Sequence, residues 1–114
     1  MCIRDRAGGD RAAAEKAYRR ALDVDSRTVD AANGLGVLLV EGGRPGEAVP
    51  WFEKAIAAAP DFFEARLNLG IALQQSGQVA RASEVYRQVL AAPGRFTRER
   101  DAAAKLLAAI GGGR

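Results

Sequence analysis

The sequence predicts an all-α fold, an α-solenoid of antiparallel helix pairs with a C-terminal capping helix, and three observations carry that prediction. The chain matches itself at an offset of 34 residues, the mark of a repeat architecture. Within each copy the apolar residues fall at helical spacing, i, i+3, i+4 and i+7. The composition agrees: 24 of the 114 residues are alanine, the hydrophobic share is 48% and the charged share 27%. That mix is too apolar for disorder and too rich in helix formers for a β-sandwich.

The repeat is read from residues at equal phase. Gly9, Gly43 and Gly77 align, as do Ala14, Ala48 and Ala82, then Tyr18, Phe52 and Tyr86, then Leu22, Ile56 and Leu90. Two copies also share Ala31/Ala65, Leu35/Leu69, Gly36/Gly70, Val37/Ile71 and Leu39/Leu73.

Six helices are expected, over 10–24, 29–41, 45–58, 62–75, 79–91 and 97–110. The first carries Ala14, Tyr18 and Leu22 on one face. The second has the stripe Ala32, Leu35, Gly36 and Leu39, and Gly42-Gly43 ends it where the chain must reverse. The third opens at Pro45, buries Ala48, Phe52, Ala55 and Ile56, and closes before Pro60. Pro50 inside it lacks a donor and is expected to kink its first turns. The fourth repeats the second, with Arg66 as one polar exception beside Leu69, Gly70 and Leu73, and ends at Ser76-Gly77. The fifth repeats the third through Ala82, Tyr86, Val89 and Leu90, and Pro93 follows it. The sixth starts from Thr97 as N-cap and has an apolar stripe of Ala103, Leu106, Leu107 and Ile110. Arg98, Asp101 and Lys105 give it the polar face that a terminal solenoid helix needs for solubility.

Glycine within a helix costs about 1 kcal/mol relative to alanine. Its recurrence at Gly36 and Gly70 therefore implies close helix approach, with Phe52 and Tyr86 filling the space beside it. Tyr18, Phe52 and Tyr86 are accordingly read as core, and Trp51 as partly exposed.

The segments N-G-L-G-V-L-L…A-V-P-W-F…P at 33–60 and N-L-G-I-A-L…A-S-E-V-Y…P at 68–93 resemble tetratricopeptide repeats, whose signature is W-x₂-L-G-x₂-Y, then A-x₃-F, then Pro. Leu35-Gly36 and Leu69-Gly70 match the L-G pair, Ala48/Phe52 and Ala82/Tyr86 match A-x₃-F, and Pro60 matches the closing proline. Ala32 and Arg66 stand where tryptophan is usual, Leu39 and Leu73 replace the tyrosine, and Pro93 falls one position early. The resemblance implies a right-handed superhelix in which the first helix of each repeat lines a concave groove for an extended peptide or a helix of a partner protein. By phase its lining is Asn33, Val37, Val40 and Glu41 from one repeat, and Glu64, Leu67, Asn68, Ile71, Gln74 and Gln75 from the next. The groove thus has an apolar floor with amide and acidic groups at its rim. The cluster of Lys, Arg and Asn that grips acidic chaperone tails in the family is missing, so an acidic tail is a poor partner.

The resulting division is 7–26 as the second half of a truncated repeat, 27–60 and 61–94 as whole repeats, 95–110 as the capping helix and 111–114 as a tail. Residues 1–6, M-C-I-R-D-R, resemble a translated sequencing-adapter remnant. They are read as foreign and disordered, and the remainder as the C-terminal part of a longer, bacterial protein. On that reading the first helix of the first repeat is missing, self-association through the uncovered end is expected, and the compartment stays open, the cytoplasm favoured over the periplasm.

The residue inventory excludes most chemistry. There is no histidine and one cysteine, Cys2, so no Cys/His zinc site, internal disulfide or imidazole relay is available. No nucleophile–base pair, phosphate loop or clustered acidic metal loop occurs, and neither an enzyme nor a cofactor is expected. The net charge of +3 lies entirely in residues 95–114. Such a basic tail can meet nucleic acid or a membrane. It has no nucleic-acid motif, however, and is read as a solvated helix face. The expected function is a scaffold or adaptor for protein–protein interaction. The alternatives are a helper domain of a larger enzyme or of a secretion or assembly machine, and binding through the tail.

Overall fold

Good helix formers held between glycine and proline breaks give, in the computed structural model, six α-helices and no strand among the described residues, 3–25 and 28–112. They are α1 (Ile3–Val24), α2 (Val29–Glu41), α3 (Pro45–Ala58), α4 (Phe63–Gln75), α5 (Val79–Leu90) and α6 (Thr97–Gly112). Each packs against the next in the chain, and α2 with α4 and α4 with α6 also touch. The radius of gyration is 14.8 Å, against about 13 Å for a compact domain of this length. The molecule is an all-α solenoid of antiparallel helix pairs.

The two central pairs turn by the same device. Beyond α2, the Arg44 N–H donates to the Leu39 carbonyl (2.7 Å) and the Gly43 N–H to that of Val40 (3.0 Å). Beyond α4, Gln78 donates to Leu73 (2.8 Å) and Gly77 to Gln74 (3.1 Å). These are Schellman turns. Their left-handed residue is glycine both times, with φ of 82° at Gly43 and 91° at Gly77, a conformation that costs other residues a Cβ clash.

The core follows the repeat. Leu35, Leu39 and Phe52 of the first pair, and Leu73, Tyr86 and Val89 of the second, are the largest fully buried side chains. A Cβ at Gly36 would lie 2.5 Å from the Phe52 ring, and one at Gly70 would lie 2.5 Å from the Tyr86 ring. The helical glycines thus admit the aromatic rings of the partner helix. Gly34 does the same for Tyr18 of α1, a contact between repeats. Arg66, in the signature's tryptophan position, pins the α3–α4 turn to α5 by donating to the Pro60 carbonyl (2.9 Å) and to Gln88 (2.8 Å).

Three expectations change. The first helix begins at Ile3 rather than at residue 10, so residues 3–6, expected to be disordered, are helical; Met1 and Cys2 lie outside the described residues. Gly8 and Gly9 lower helix propensity but impose no reversal, and the helix runs through them. Thr97 opens α6 instead of capping it. Its hydroxyl donates to the Gly94 carbonyl at 2.9 Å, while the Phe96 carbonyl receives the Arg100 N–H at 3.0 Å. The helix then passes the expected stop at Gly111 and reaches Gly112; Gly113 and Arg114, like Ser26 and Arg27, lie outside the described residues. Around Pro50, α3 continues unbroken from Pro45 to Ala58.

The last helix keeps the phase of a first repeat helix. Ala103 is buried as Leu35 and Leu69 are. Arg100 and Arg66 share a buried Nε without a hydrogen-bond partner. Ala104, at the phase of Gly36 and Gly70, is exposed. No aromatic ring presses on it from a further helix among the described residues.

Candidate interaction groove

The helical phase that buries Leu35, Leu39, Leu69 and Leu73 turns the neighbouring positions of α2 and α4 toward one another. Between them lies a cavity of about 190 Å³ lined by Val37, Val40 and Glu41 of α2, Asn68 and Ile71 of α4, and Phe52 of α3. Five of these six were expected from phase. Phe52 was read as core alone. Its ring is fully buried against Gly36, yet it also floors the cavity.

One end of the groove is closed by a chain of amides. Asn68 Nδ2 donates to Asn33 Oδ1 at 3.0 Å, and Asn33 Nδ2 donates to Glu64 Oε2 at 3.3 Å. Asn33 is only 8% exposed and is the buried polar residue among those whose burial is described. A buried amide costs stability unless paired, and here it is paired across the joint between two repeats. The chain of bonds therefore fixes the register of α2 against α4. Leu67 packs against the core, half-buried.

The other end differs between the two amides expected there. Gln75 is exposed. Gln74 Oε1 accepts the Tyr86 hydroxyl at 2.8 Å, tying the rim of the groove to the core of the second repeat. Burial pushes the Tyr86 phenol up from 10.0 to about 12, because the phenolate loses its water there.

The opposite side, built by α1 and α3, holds the one tryptophan. Trp51 is half-buried, with Lys54 Nζ 4.9 Å and the Arg19 guanidinium 5.9 Å from its ring. The π face of an indole attracts cations, and two already stand within 6 Å of this one.

A stack of antiparallel helix pairs with a continuous core and a groove along its first helices is a helical repeat scaffold. Family models described as tetratricopeptide repeat match residues 4–61 and 39–110. The chain belongs to the tetratricopeptide repeat family. Such repeats are in general protein–protein interaction modules and are typically non-catalytic. A search among curated proteins returns no match.

Proposed function

We propose that the groove between α2 and α4 receives a peptide segment or helix of a partner protein, making the chain a scaffold or adaptor. The cavity lined by Val37, Val40, Phe52 and Ile71 carries this reading. It offers an apolar seat for one anchoring side chain, and Asn68 stands beside it with a carboxamide to hold peptide backbone. Burial of an anchor in a preformed helical groove, with amides fixing the chain, is a recurrent mode of peptide recognition. Two repeats present a short groove, so binding is weak.

The test is selection of a displayed random-peptide library on the whole chain, followed by binding of the enriched peptides to Ile71→Glu and Asn68→Ala. Both variants are expected to keep the helical circular dichroism of the parent. Ile71→Glu should abolish binding and Asn68→Ala should weaken it. Peptides that bind both variants as they bind the parent would overturn the proposal.

A further inference from the structure

The charges beside the cavity narrow the choice of occupant, an inference that rests on the groove reading above. Glu41 stands in the cavity wall, and Glu64 lies at the end of the amide chain, accepting from Asn33. Neither forms an ion pair among the described residues, whereas Glu15, Glu47 and Glu53 each meet a guanidinium group. The cations nearest in sequence are turned away. Arg44 is held by Glu47 at 2.8 Å and by Glu15 at 3.6 Å. Arg66 is spent on the Pro60 carbonyl and Gln88.

A carboxylate at the rim of an open apolar cavity keeps its water. When a segment covers the cavity, that water is stripped, and the loss is offset only if the segment brings a cation. An acidic segment would add like-charge repulsion to the desolvation cost. We infer that the occupant is a cationic peptide segment, with an aliphatic or aromatic side chain in the cavity and Lys or Arg on either side of it, one facing Glu41 and the other Glu64. The sign of the surface limits how far the basic stretch extends. One repeat beyond Glu64 and Ile71 the equivalent positions are Arg98 and Lys105, both exposed on α6. The basic residues of the occupant are therefore confined to the α2–α4 half of the groove.

Peptides selected from the same random library on the whole chain test this directly. Those whose binding is lost on Ile71→Glu should carry an excess of Lys and Arg next to an apolar residue. Their affinity should fall about tenfold on the double change Glu41→Gln and Glu64→Gln, and the parent's affinity should drop with added salt. The opposite double change, Glu41→Lys and Glu64→Lys, should shift selection toward acidic flanks. If groove-dependent binders show no basic excess, or if the glutamine variant holds them as the parent does, the charge inference is wrong while the groove reading stands. If no selected peptide depends on Ile71, both fail together.

Discussion

On the side of the molecule built by α1, α3 and α5, carboxylates and guanidinium groups find each other. Glu15 meets Arg19 at 3.0 Å, Arg44 bridges Glu15 and Glu47, and Arg81 crosses from α5 to Glu53 of α3 at 3.2 Å. The Arg44 hydrogen bond holds the Glu47 carboxyl below its ordinary range, and Glu47 in turn raises the Arg44 guanidinium. Along α2 and α4, Glu41 and Glu64 have no such partner among the described residues, and Glu41 lines an apolar cavity. The first side pairs Glu15, Glu47 and Glu53, while Asp23 and Glu84 form no ion pair there among the described residues and a polar cavity is lined by Arg19, Leu22, Asp23, Trp51 and Lys54. The other leaves charge and apolar area uncovered together, the combination expected of a surface made to be covered.

That contrast is broken most severely at Phe52, which serves both the core and the cavity floor. Phe52→Ala should cost about 3–5 kcal/mol, read from denaturant unfolding, and should empty the joint between α2 and α3. Next in size is Ala103→Asp. It places a carboxylate in the buried seam of α6 against the preceding repeat, with an expected loss of about 3 kcal/mol. A variant that melts like the parent would mean that α6 is not docked as the phase of Ala103 requires.

Tyr86 gives a smaller effect with a pH signature. Its phenol binds its proton more tightly when folded than when unfolded, so its contribution is fully present below pH 10.0 and is lost as pH rises toward about 12. Tyr86→Phe leaves Gln74 without its donor and should cost about 1 kcal/mol near neutral pH. It should also flatten the decline in stability between those pH values. The smallest effect belongs to the side of α1, α3 and α5. Arg81→Ala removes an exposed pair and should change stability by less than about 0.5 kcal/mol, with no effect on peptide binding.

The sequence was most legible where one helix records its own burial. The 34-residue period, the ends of α2 and α3, the glycine turns and the Gly36/Phe52 and Gly70/Tyr86 partnerships all follow from spacing within a copy. So does the placement of Val37, Val40, Glu41, Asn68 and Ile71 around one cavity. Contacts between copies were not legible, because helical phase gives the face that is buried and not the offset of a neighbouring helix. The Asn33–Asn68–Glu64 chain and the Tyr18 ring on Gly34 depend on such offsets, and within the second copy the Tyr86 hydroxyl on Gln74 depends likewise on the offset of α5 against α4. Phe52 was assigned a single role for the same reason: full burial in its own repeat concealed the edge it shows to the next. The start of α1 was missed because Gly9, at the phase of Gly43 and Gly77, was taken as a boundary where no reversal demands one.

The chain carries native reporters on both sides, and one titration compares them. Asn33 and Asn68 have side-chain amides in the groove, while Trp51 has its indole on the side of α1 and α3. Their NH signals, followed by NMR as a selected library peptide is added, report which side is covered. With the peptide in the groove, the two asparagine amides and the Ile71 methyl groups should shift in step with binding while the Trp51 indole stays in place. A Trp51 shift with the asparagine amides and Ile71 methyls unmoved would contradict groove binding and place the interaction surface on the side of α1 and α3.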